Sequence, residues 1–113
     1  MLNQSIVVGR LVTNPELRET ENGNKVTSVL LAVPRCYKNA DGEYETDYIR
    51  CVLWRGIAER TTEYCHKGDL IGVRGRLQTR EIEQEDETMK SVIELVAERV
   101  TFLQSQKPAK ENA

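Results

Sequence analysis

Between Asp47 and Arg55 the sequence DYIRCVLWR alternates in a pattern that only an extended strand can use. Side chains on a strand point to opposite faces in turn. Ile49, Cys51 and Leu53 therefore make one wholly apolar face, while Tyr48, Arg50, Val52 and Trp54 make the other. The first face requires a core to cover it. The second sets two aromatic rings beside a guanidinium, a composition suited neither to a dry core nor to open water.

The flanking segments have the same character. Residues 4–12, QSIVVGRLV, are β-branched and interrupted by Gly9, which predicts a strand with a bend or a close backbone approach at the glycine. Turn chemistry at Asn14-Pro15 and Asn22-Gly23-Asn24 precedes VTSVLLAVPR (26–35), a second strand buried for most of its length. CYKNADGEYET (36–46) carries Asn39 and Asp41-Gly42 and reads as an exposed hairpin loop. After DYIRCVLWR, the residues Ile57, Ala58, Thr61, Tyr64 and Cys65 recur at helical spacing, and Gly68 stands where a C-terminal cap belongs.

DLIGVRGRLQTRE (69–81) returns to strand periodicity, with Ile71, Val73, Gly75, Leu77 and Thr79 on one face. Arg74, Arg76, Gln78, Arg80 and Ile82 occupy the other. EIEQEDETMK (81–90) reads as a charged hairpin tip, and SVIELVAERVTFL (91–103) as a last strand or a bent pair of strands, with Phe102 in the core. Five strands with one helix between the third and fourth give an all-β reading: an OB-fold, a five-stranded Greek-key barrel.

A chain of 113 residues with 39% hydrophobic content supports one core. The expected division is a single OB domain over residues 1–104 and a polar, disordered tail over 105–113. The net charge of −2 means that any polyanion has to be held by a local patch. Cys36, Cys51, Cys65 and the single His66 match no zinc spacing, so no metal or cofactor is expected. The odd cysteine count and the absence of signal-peptide or membrane-span patterns point to a cytoplasmic protein. Phosphate-loop, nucleophile-elbow and zinc-protease motifs are missing, which favours a binding module over an enzyme.

Rings with cations between them are what a nucleic-acid single strand needs, because stacking tolerates every base and cations meet the phosphates. The candidate rings are Tyr37, Tyr48 and Trp54; the candidate cations are Arg35, Lys38, Arg50, Arg55, Arg74, Arg76 and Arg80. Tyr64 is expected in the core on the inner helix face, and His66 on the surface.

The series VVGRLVTNPELRETENGNKV, LAVPR and DYIRCVLWRGIAERTTEYCHKGDLIGVRGRLQTR resembles the bacterial single-stranded-DNA-binding protein family from about residue 3 to residue 104. The resemblance implies an OB-fold that forms a homotetramer around which single-stranded DNA wraps. By position, Tyr37, Tyr48 and Trp54 match the family's stacking aromatics, Arg50 and Arg80 match cations beside them, and Asn3 to Arg10 lie near a subunit interface.

Two departures stand out. Ile82 falls where many members carry a fourth stacking aromatic, and the loop after it is acidic, which implies weaker binding there or a loop held off the DNA. The sequence also ends at QKPAKENA where replicative members carry an acidic tip that recruits repair enzymes. The expectation on that ground is an accessory member serving competence, a plasmid, a phage or a conjugative element. Alternatives are an OB-fold RNA-binding or primosomal module and an assembly protein whose aromatic face is a protein interface.

Overall fold

The apolar face of the central strand is enclosed, with Cys51 and Leu53 both 0% exposed. In the computed structural model, which describes residues 1–105, the elements are β1 (Ser5–Leu11), β2 (Arg18–Glu19), β3 (Lys25–Lys38), β4 (Tyr44–Trp54), α1 (Arg55–Tyr64), β5 (Leu70–Glu83) and β6 (Met89–Gln104). The residues from Gln106 onward, and with them the expected tail, lie outside this description.

Each long strand buries alternate residues: Thr27, Val29 and Leu31 on β3, Cys51 and Leu53 on β4, and Ile71, Val73 and Gly75 on β5. The apolar side chains among these, with Leu11, Leu95 and Ala97, fill one core. Burying a side chain of Leu or Ile size stabilises the fold by about 1.5–3 kcal/mol.

The strands follow the order β1-β5-β6-β4-β3-β2, and a further β1–β3 pairing closes the sheet. That pairing is short, with Arg10 opposite Ala32 and Leu11 opposite Leu31. A brief parallel contact of β4 with β6, Cys51 opposite Leu95 and Val52 opposite Val96, joins the other side. Closure leaves the five long strands without a free edge along the barrel, and the expected OB-type barrel is what forms. The two-residue β2 was not legible in the sequence.

Gly9 has the close approach expected of it: a Cβ there would stand 2.7 Å from the Ala32 carbonyl oxygen. The helix is shorter than its spacing suggested. It stops at Tyr64, where the Cys65 backbone turns extended while its N–H still donates to the Thr61 carbonyl. Gly68 is thus not the helix cap. It lies in the following turn, at φ +90°, and its N–H donates to the Leu11 carbonyl at 2.8 Å.

Tyr64 and Phe102 are corrections too. Both are exposed, at 61% and 42%, and their rings meet at 6.2 Å on the surface rather than in the core. The inner helix face is made by Ala58 and Thr61, and buried Cys65 follows directly after it. Leu77 shares a strand face with buried Ile71 and Val73 but is 47% exposed, because β5 and β6 continue past the barrel as a two-stranded ribbon. β6 itself is one continuous strand, its register against β5 shifting twice.

Candidate nucleic-acid interface

The antiparallel ladder between β3 and β4 fixes the outward row. Tyr48 stands opposite Ala32, Arg50 opposite Leu30, Val52 opposite Ser28 and Trp54 opposite Val26. The partners are small or aliphatic, and both rings reach the surface. Tyr48 is 61% exposed and Trp54 37%. They lie six positions apart on one strand, about 20 Å at the usual rise. Arg50 lies between the two and makes no ion pair among the described residues.

The hairpin beyond the barrel is longer than the sequence indicated, because strand pairing runs to Lys38 opposite Tyr44 and leaves only residues 39–43 as loop. Lys38 Nζ stands 5.7 Å from the centre of the Tyr44 ring. Tyr44, 60% exposed, was not among the sequence candidates; its position in register with Tyr48 on β4 was the signal that could have found it. Tyr37 is 61% exposed, but the irregularity between Pro34 and Lys38 takes it out of the regular alternation.

Arg35 is turned to the opposite side from Tyr48. It donates to both Asp47 carboxylate oxygens at 2.9 and 3.1 Å and reaches Glu45 at 3.4 Å. Hydrogen bonding to Asp47 foremost, then the charge of Asp47 with smaller contributions from Tyr37 and Glu45, holds the Arg35 guanidinium above its ordinary pKa.

Arg80 is also anchored. Its guanidinium makes a bidentate contact of 3.0 and 3.1 Å to Glu94, a carboxylate only 5% exposed. Hydrogen bonding and charge from Glu94 raise its pKa. Arg80 nevertheless shares a groove with Arg50, floored by Ser28 and walled by Asn14 and Arg18 from the segment after β1. Arg18 was missed in the sequence because it lies in a segment without strand or helix periodicity.

On the other flank of the outer row, Trp54, Arg55, Arg74 and Arg76 line a second groove between α1 and the β5–β6 pair. Arg60 and Arg99 line it as well, neither of them a sequence candidate. The ten chosen side chains thus divide among the outer row, its two flanking grooves and the β3–β4 hairpin, with Arg35 facing away. Ile82 is on the ribbon, 37% exposed, and the ribbon tip presents Glu83, Glu85 and Glu87 to solvent.

The sequence has relatives among known proteins. Residues 2–103 match the family model described as the single-strand binding protein family. The chain belongs to that family. Over 103 residues it is 50% identical to single-stranded DNA-binding protein B of Bacillus subtilis, covering 91% of both chains. It is 49% identical to a single-stranded DNA-binding protein of Bacillus cereus, covering 92% of this chain and 61% of the relative. Single-stranded DNA-binding protein A of Bacillus subtilis is 48% identical over 104 residues, 60% of its length. The chain thus spans nearly all of one relative and about three fifths of the other two.

Proposed function

We propose that this protein binds single-stranded DNA with little regard to sequence, stacking bases on Tyr48 and Trp54 and meeting phosphates with the arginines beside them. The observation that carries the reading is the exposed Tyr48–Arg50–Trp54 row on the outside of a closed barrel, backed only by small and aliphatic partners. Tyr37, Tyr44 and Lys38 extend the same chemistry along the hairpin, and Arg50 with Arg80 supplies cations on one flank. Each stacked ring contributes about 1–3 kcal/mol in proteins of this kind. The relatives named as single-stranded DNA-binding proteins support this reading. The surface offers rings and guanidiniums rather than a nucleophile beside a base, so the role is binding and protection, not catalysis. It suits replication, recombination, repair or DNA uptake.

Self-association belongs to the reading. Ile6 and Val8 face outward on β1, 73% and 46% exposed, and Leu103 lies with Val8 over Gly72. Such a contiguous apolar patch is what a subunit interface covers, and a homotetramer is the assembly proposed.

Fluorescence anisotropy of labelled oligo-dT, with salt varied and matched RNA as competitor, tests the proposal. Log affinity is expected to fall with log salt at roughly −0.7 per phosphate contacted, and RNA to compete poorly. Salt-independent binding would contradict phosphate contact, and equal competition would make the protein a general single-strand binder.

A further inference from the structure

We infer that the groove between α1 and the β5–β6 pair is a second limb of the binding path, taking the backbone phosphates of the strand as it passes Trp54. The inference rests on the single-strand reading above and extends it to residues outside the aromatic row. The groove encloses about 880 Å³ and gathers Arg55 and Arg60 from α1, Arg74 and Arg76 from β5, and Arg99 from β6, with Trp54 at its edge.

The charge there runs against the composition. The chain has 18 acidic and 16 basic residues, yet the groove lining holds five arginines and a single carboxylate, Glu98. Glu98 lies 3.6 Å from Arg76. Arg55, Arg60, Arg74 and Arg99 make no ion pair among the described residues.

Arg74 and Arg99 are moreover direct cross-strand partners. Like charges set opposite each other on a sheet destabilise it, so the pair is a cost that a bound polyanion offsets. Two features of the β4-to-α1 junction point the same way. Arg55 holds a left-handed φ of +53°, a strained conformation for a residue with a side chain. The helix that begins there has neither a side-chain cap at Trp54 nor an acidic residue in its first turn, so its free N–H groups add to the positive potential.

Phosphate fits better than carboxylate because the groove is continuous with Trp54. A base stacked on that ring carries phosphates on both sides, and Trp54 lines the same groove as these arginines. The competing occupant is the acidic ribbon tip of a second copy, Glu81 to Glu87, whose charge is complementary.

The test compares wild type with Arg60→Gln and with the double variant Arg60→Gln/Arg99→Gln, both positions being exposed. Binding to an oligo-dT of about 16 nucleotides, the upper end of what one OB-fold covers, is followed by Trp54 quenching across a salt series. Thermal melting confirms that both variants fold. The salt slope is expected to shrink by about 0.7 in the single variant and about 1.4 in the double. Slopes and affinities equal to wild type, with Trp54 still quenched, overturn the groove while leaving the single-strand reading intact. A wild-type protein that does not bind at all overturns that reading itself. Variants that sediment as smaller assemblies with an unchanged slope assign the groove to the acidic ribbon of a second copy, and also overturn the proposal.

Discussion

The arginines of this surface differ in what they already touch, and that difference ranks them as phosphate ligands. Arg50 has no carboxylate partner among the described residues, whereas Arg35 and Arg80 are each held by a bidentate one. A phosphate reaching Arg35 has to displace Asp47; one approaching Arg80 finds a guanidinium already oriented by a buried carboxylate. The Arg35 contact has a signature in pH. Hydrogen bonding from Arg35 holds the Asp47 carboxyl below its ordinary 3.8. Stability from this pair is thus fully present above that ordinary value and is lost as pH falls through the lowered one. A carboxyl-carbon NMR titration is expected to find Asp47 below 3.8 in wild type and restored toward it in Arg35→Gln. Titration at the ordinary value in both proteins would mean that the pair does not persist in solution. The buried thiols are quiet by contrast: desolvation pushes Cys51 up to about 12, and desolvation with the nearby Asp69 charge pushes Cys65 up to about 11.

Among the elements, the β5–β6 pair carries the most geometry, because it forms barrel wall at one end and becomes a two-stranded ribbon at the other. Within the barrel its register shifts between Arg74 and Gly75, where a Cβ on Gly75 would lie 1.9 Å from the Val96 carbonyl oxygen. Backbone cannot give way as a side chain can, so Gly75→Ala is expected to lower stability by about 1–3 kcal/mol. Gly72→Ala is the control, since its nearest neighbours would be ordinary contacts at 3.6 and 3.7 Å. Denaturant unfolding that ranks the two variants equally would count against the close crossing. The same pair marks where the sequence ran out. Alternation in DYIRCVLWR was sufficient to place Tyr48, Arg50 and Trp54 on the outside, and Gly9 announced its own close approach. Beyond Leu77, however, the period-two pattern continues while the barrel does not, and periodicity alone carries no information about what packs on a face. Tyr64 and Phe102 went astray for a related reason: each follows its element's pattern, but their rings meet each other on the surface rather than in the core. The ion pairs of Arg35 were not legible because its carboxylate partners lie across the hairpin.

At the scale of the molecule, a net charge of −2 coexists with a binding face because the charges are sorted. Carboxylates collect on the ribbon tip, while arginines line grooves on both flanks of the outer row. Barrel closure holds that row rigid, since Ile49, Cys51 and Leu53 on its reverse are packed into the core. The central claim is that Trp54, the one tryptophan in the chain, is a base platform. Its intrinsic fluorescence during titration with oligo-dT, at low and moderate salt, tests this most directly. The account predicts strong, saturable quenching that weakens as salt rises. Fluorescence that stays unchanged in folded protein with DNA in excess would contradict it.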